Sequence, residues 1–200
     1  MQYGLSIPNF GEYGDPRILA ALAHEAEEAG WDGFFVWDHL NLPSPLPMTD
    51  PWVALTAIAL RTQRIRLGPM VTPIPRRRPW KLARETLSIE QISAGRLILG
   101  VGLGYFPGEE FADFGEEPDA KVRAGKLDEG LAVLAGWWRN EPFSFAGEHF
   151  QINNVHMQPP PSNSPGSPYR EAGVTRWLES PENHTLTEMQ QRIRKGPPVG

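Results

Sequence analysis

Ser93-Ala94-Gly95-Arg96-Leu97-Ile98-Leu99-Gly100-Val101-Gly102-Leu103-Gly104 is the stretch on which the fold reading turns. Gly95 stops a helix, because a residue without a Cβ takes left-handed backbone at little steric cost. Leu97 to Val101 is a short apolar run of strand length, and glycines mark its exit. Helix, stop, buried strand and glycine-rich turn make up one βα repeat. Outward from this stretch the pattern recurs. Toward the N-terminus, a strand at Ile65–Met70 leads to the helix that Gly95 ends, which starts near Trp80. Before it, Gly33-Phe34-Phe35-Val36 reads as a buried strand, with a Pro-rich loop (41–51) and a helix carrying Trp52, Leu55, Ala59 and Leu60. The first unit is Tyr3–Ile7, ended by Pro8-Asn9, with Asp15 as N-cap, Pro16 at N1 and Gly30 just past the helix end. Toward the C-terminus, an acidic loop leads to a helix bearing Val122, Leu127, Leu131, Leu134 and Trp138. Four βα units in tandem predict a parallel sheet.

The rhythm then changes. Phe143-Ser144-Phe145 and His149-Phe150-Gln151-Ile152 flank Ala146-Gly147-Glu148 with period two, a β-hairpin pattern. Residues 158–170 hold five prolines between Gln158 and Pro168 and read as an extended linker. Beyond it, Gly173–Leu178 has strand character, and Thr185 with Glu188 forms a capping box for a helix through Met189 and Ile193, ended by Gly196-Pro197-Pro198.

Composition limits the chemistry. With 40% hydrophobic and 22% charged residues the chain is globular, and its net charge of -5 supplies no general field for a polyphosphate, so nucleic acid is not an expected partner. Glycine (20) and proline (21) make up about a fifth of the 200 residues, which demands many turns. There is no cysteine, hence no disulfide and no thiolate nucleophile, which suits a reducing, cytoplasmic location. No membrane-spanning run and no signal peptide are read. The five histidines (24, 39, 149, 156, 184) lack zinc-type spacing and no metal is implied; G-x-S-x-G is absent.

Ligand sites in parallel α/β sheets lie beyond the strands' carboxyl ends. The second strand delivers Trp37, Asp38 and His39 there. His39 is suited to proton transfer near neutral pH, whereas a structural pair is an equally good reading. Pro69 cannot donate to a ladder, so Gly68-Pro69-Met70 marks a bulge or a strand end. Arg76-Arg77-Arg78 reads as an anion contact or, more commonly, a solvated face. The G-x-G-x-x-G fingerprint fails, its third glycine falling on Tyr105 or Pro107; bare backbone at Gly102 and Gly104 still admits a flat ligand. Glu109 and Glu110 read as solvating that loop or as an acid–base pair, and Trp37 is the tryptophan placed to touch a ring.

Taken together, Ala29–Gly33 through Asp38-His39-Leu40, Arg64–Gly68 through Val71-Thr72-Pro73, and Ser93–Gly104, followed by Glu110-Phe111, Arg123 and Glu129, resemble the luciferase-like flavin-dependent oxidoreductases, the family of bacterial luciferase and deazaflavin-dependent reductases. The similarity runs in order over about residues 1–160. It implies a TIM-type (βα)8 barrel holding FMN or coenzyme F420, a deazaflavin, for two-electron transfer to, or monooxygenation of, a small organic substrate. Through the resemblance His39 is the catalytic proton donor or acceptor, and Asp38, Pro69, Met70, Gly102, Gly104 and Tyr105 are cofactor-binding. Pro69 departs from the small residue usual there.

A barrel of this type needs about 250 residues. The C-terminal strand and helix resemble the family's last unit, while the pattern of strands five to seven is missing. The expected fold is therefore α/β, a TIM-barrel-derived (βα)4 partial barrel over 1–157, a linker over 158–170, and a strand and helix over 171–200 packing on the same domain. The predicted strand order is last, first, second, third, fourth. Its two open edges predict a homodimer. The alternative function is a truncated, non-catalytic binding or interaction module.

Overall fold

Three short parallel strands set the frame: β1 (Gln2–Ile7), β2 (Gly33–Val36) and β3 (Arg66–Pro69), paired Leu5 to Phe34 and Phe34 to Leu67. The structure is a computed structural model describing residues 2–139, 141–158, 176–179 and 185–198, with backbone alone at 176–179. β8 (Arg176–Glu179) lies parallel on the far side of β1, so the sheet runs β3-β2-β1-β8. All four residues of β2 are buried, the continuous apolar run of a strand covered on both faces. Leu5, Ile7, Phe34, Val36 and Leu67 join one core with α1 (Pro16–Glu28) and α2 (Pro51–Arg61). Asp15 and Asp50 cap these helices and proline occupies the first turn of each, as the sequence anticipates for α1.

The fourth strand differs from its prediction. Ladder pairing is confined to β4 (Thr72–Pro73) with β5 (Val101–Gly102), plus a bridge between Leu67 and Leu97. The chain from Arg96 to Gly102 does run beside β3, through bonds from Leu67 N–H to Arg96 O, Ile98 N–H to Leu67 O and Gly100 N–H to Pro69 O. The ladder breaks because Pro69 has no N–H to donate between these bonds; the Met70–Val71 peptide that follows is cis. Gly68 permits the close approach, since a Cβ there would sit 1.7 Å from Ile98 O. The predicted third strand accordingly ends at Pro69 rather than Met70.

α3 (Pro79–Ile92) and α4 (Ala120–Trp137) follow, and the predicted hairpin is present as β6 (Phe143–Ala146) against β7 (Gln151–Val155). α5 (Leu186–Arg194) carries the Thr185–Glu188 capping box. It docks on α1: Met189 and Ile193 are buried, Trp31 Nε1 donates to Ile193 O at 3.1 Å, and Arg194 pairs with Glu25 at 2.9 Å. The predicted linker, Gln158 apart, and residues 173–175 of the predicted last strand fall outside the described residues. Among the described residues no helix is long and apolar enough to cross a membrane.

Glu27, buried at the end of α1, accepts the backbone N–H groups of Gln63, Arg64 and Ile65. Burial alone would raise its pKa, but the three N–H donors and the Arg64 charge outweigh burial and hold it below 4.5. A carboxyl with a depressed folded-state pKa contributes stability above its unfolded pKa and loses it as pH falls through the folded value. Urea midpoints measured from pH 7 downward should therefore drop below about pH 4.5 less steeply in Glu27→Gln than in wild type. Parallel acid limbs would show that this carboxyl does not carry the effect.

Candidate active site

The chain leaves each strand end with a different group. Asn9 and Phe10 follow β1, Trp37-Asp38-His39 follows β2, Met70-Val71 follows β3 and Leu103–Phe106 follows β5. These segments enclose a hollow of about 610 Å³ bordered by Trp37, His39, Met70, Val71, Gly104 and Phe106 among others. A second hollow of about 400 Å³ adjoins it, and the two share Asp38, His39 and Glu110.

His39 stands among three aromatic rings, with centroids 5.6 Å from Phe10, 5.8 Å from Trp37 and 5.5 Å from Phe106. Its Nδ1 lies 3.1 Å from Glu110 Oε1, which also accepts the Leu40 N–H at 2.7 Å. Its main chain is clamped by buried Asn9, whose Oδ1 accepts the His39 N–H at 3.1 Å and whose Nδ2 donates to His39 O at 2.8 Å. Nε2 is not buried and has no protein partner among the described residues.

Glu110 is 1% exposed and shares its other oxygen with Arg76, whose Nη1 lies 2.9 Å away as an ion pair without hydrogen-bond alignment. Burial would push this carboxyl up, yet the His39 contact, the Arg76 charge and the Leu40 N–H prevail and set it below the usual carboxylate range. Asp38 is equally enclosed. Arg76 Nη2 reaches its Oδ1 at 2.6 Å, Arg77 Nη2 reaches both oxygens at 2.8 and 2.6 Å, and the Thr72 hydroxyl donates to Oδ2.

Of the residues singled out from sequence, Asp38, His39, Met70, Gly104 and Tyr105 border the larger hollow, Tyr105 at its mouth with 76% exposure. Pro69 and Gly102 do not. Pro69 is buried in register with Val36, and Gly102 makes room for Val71, whose Cγ2 would lie 2.7 Å from a Cβ there. Two sequence readings are corrected. Arg76 and Arg77 are no solvated face, being drawn inward by two carboxylates, and only Arg78 is exposed. Glu110 does not solvate its loop, since the Leu40 N–H, the His39 ring and the Arg76 charge hold it inside. Asn9 and Thr72 were not singled out as site residues; their only local signals are positions just past β1 and at β4.

Among the described residues one cluster has the makings of a metal site. His24, Glu27 and Glu28 bring possible ligand atoms within 4.8 Å of one another. They stand by the chain entering β3, the opposite end of the sheet from His39, and both Glu27 oxygens already accept backbone N–H groups.

Comparison with known proteins places the chain in a family. The chain is 34% identical over 149 residues to an F420-dependent glucose-6-phosphate dehydrogenase of Gordonia bronchialis, covering 72% of this chain and 44% of that protein. It is 32% identical over 166 residues to the protein of that name from Nakamurella multipartita, covering 80% and 47%. It thus spans about half the length of the curated relatives it matches. Its fold matches a monooxygenase from Streptomyces bottropensis (TM-score 0.70, 28% identity, 80% of this chain and 50% of that one). It also matches an F420-dependent secondary alcohol dehydrogenase in complex with an F420–acetone adduct (TM-score 0.72, 23% identity, 88% and 51%). Those solved structures place the chain among the α/β folds of luciferase-like TIM-barrel proteins. With the luciferase-like monooxygenase family model matching residues 1–177, the chain belongs to that family.

Proposed function

We propose that this chain is an oxidoreductase that uses a deazaflavin or flavin, coenzyme F420 or FMN, for two-electron chemistry on a small organic molecule. The relatives named as F420-dependent favour the deazaflavin. The observation that carries the reading is His39, held at Nδ1 by a buried carboxylate and left unpartnered at Nε2 on the edge of a hollow.

The residues present fit such a group. The hollow of about 610 Å³ lies within the roughly 300–1,000 Å³ usual for ligand sites. Trp37, Val71 and Phe106 offer flat or apolar walls, and Gly104, at φ +86°, lets the turn beside the hollow pack on Phe111, whose ring would lie 2.7 Å from a Cβ there. When bound, the cofactor supplies the two-electron acceptor or donor. His39 holds and moves the proton that accompanies those electrons at Nε2, because an ionised Glu110 only accepts and so keeps the Nδ1 hydrogen. Asn9 and Glu110 fix the imidazole by its main chain and by one ring nitrogen, and the surrounding rings limit water around it. Asp38, Pro69, Met70, Gly102, Gly104 and Tyr105 are proposed as the cofactor's surroundings, with Pro69 and Gly102 acting through the backbone they shape.

The strand row is read as part of a TIM-type ring: a (βα)4 arc over 1–157, with β8 and α5 on the same domain and a linker between. The β8–β1 pairing and the docking of α5 on α1 support this. The outer edge of such an arc invites a second copy.

Absorbance and fluorescence titration with coenzyme F420 and FMN is the test. Saturable binding at micromolar concentration is expected with at least one, and its absence with both would remove the oxidoreductase reading. Binding without any turnover of reduced cofactor would favour the second reading, a non-catalytic binding module.

A further inference from the structure

Two carboxylates and two guanidiniums meet behind His39, and the way they divide the work bears on the imidazole. Asp38 is satisfied without Arg76: Arg77 reaches both of its oxygens and Thr72 donates to one. Glu110 has no such surplus. Apart from His39 itself, its one cationic neighbour among the described residues is Arg76, whose side chain is 5% exposed. Arg76 is also anchored, since Nη2 donates to the Asp38 carbonyl at 2.5 Å and to Asp38 Oδ1 at 2.6 Å, so Nη1 cannot swing away from Glu110 without losing both.

We infer that Arg76 is a positioning residue that fixes the tautomer of His39 through Glu110. A carboxyl buried this deeply takes up a proton unless a charge opposes it. Protonated, Glu110 has an O–H to donate, Nδ1 becomes the acceptor, and the imidazole hydrogen moves to Nε2. Ionised beside Arg76, Glu110 has only lone pairs. Nδ1 then keeps its hydrogen and Nε2 presents a lone pair outward. No atom of Arg76 needs to touch a ligand for this, and the inference deepens the function proposed above, on which it rests, by naming the residue that keeps Glu110 ionised and so leaves Nε2 free for the proton work.

The test reads the tautomer directly, without cofactor, on protein labelled with ¹⁵N-histidine. Long-range ¹H–¹⁵N correlation at a pH where the imidazole is neutral identifies the protonated nitrogen, and His39→Ala assigns the signal. Wild type is expected to show Nδ1–H; a wild-type signal from Nε2–H would overturn the inference with no variant needed. Arg76→Met should shift the population to Nε2–H, and Arg76→Lys, which keeps the charge, should restore Nδ1–H. An unchanged tautomer in folded Arg76→Met would also overturn it. If Arg76→Met does not fold, Arg76→Gln takes its place as the neutral variant, and an Nδ1–H signal there would overturn the inference. Where cofactor turnover is measurable, Arg76→Met should lose at least tenfold in kcat while the cofactor Kd changes less than threefold. Failure of cofactor binding would sink the proposed function and leave the tautomer result standing.

Discussion

His39→Ala should keep the fold and bind the cofactor within a few-fold of wild type, while turnover falls by about 10²–10⁴, the span supplied by a positioned acid–base group. The imidazole makes one polar side-chain contact, to Glu110, and three edge or tilted ring contacts, so truncation removes a proton carrier more than a structural tie. Glu110 retains Leu40 N–H and Arg76 in the variant, and no carboxylate is left uncompensated. Stopped-flow absorbance with reduced cofactor gives the rate, and equilibrium fluorescence gives the Kd. Loss confined to Kd would make His39 a wall of the hollow; full retained turnover would make it an accessory residue. His39→Gln, which keeps a hydrogen-bonding side chain without a titrating ring, should not rescue the rate.

The largest expected effect on stability belongs to a residue remote from that chemistry. Arg96 is 8% exposed and, among the described residues, has no carboxylate in hydrogen-bond contact. Its guanidinium donates instead to Ala59 O at 2.8 Å, Thr62 O at 3.0 Å, Thr62 Oγ1 at 2.7 Å, Ile65 O at 3.1 Å and Ser93 O at 2.7 Å. One side chain thereby joins the end of α2, the entrance of β3 and the end of α3. Burial depresses its pKa from the usual arginine range, although Glu27 opposes that in part. Arg96→Met leaves buried carbonyls without donors, each costing about 1–3 kcal/mol, and a total near 3–5 kcal/mol is expected because some regain water or rearrange. Urea unfolding followed by tryptophan fluorescence measures it. A change under about 1 kcal/mol would mean that the three ends hold together without this tie. Arg96→Lys should fall between, since one ammonium cannot reach all five acceptors.

How much of this was legible beforehand follows from how far each signal reaches along the chain. Caps, glycine stops and apolar runs are local: Asp15-Pro16, Gly30, Gly33–Val36 and Thr185 to Glu188 each act within a few residues, and the structure places them as read. The return of Trp37-Asp38-His39 to the sheet's carboxyl end followed from βα alternation. Charge partnership is not local. Nothing near Arg76 or Arg77 shows that Asp38, nearly forty residues earlier, draws them inward, or that Glu110 sits beneath His39 instead of in water. The pairing of β4 with β5 likewise depends on where Pro69 falls opposite the Gly100 strand. Elements and their ends were set by the order of residues, because backbone geometry and helix caps are decided by near neighbours. The charge pairing of the candidate site was set by tertiary contact, because a buried charge takes its state from groups that only the folded chain brings within 3 Å.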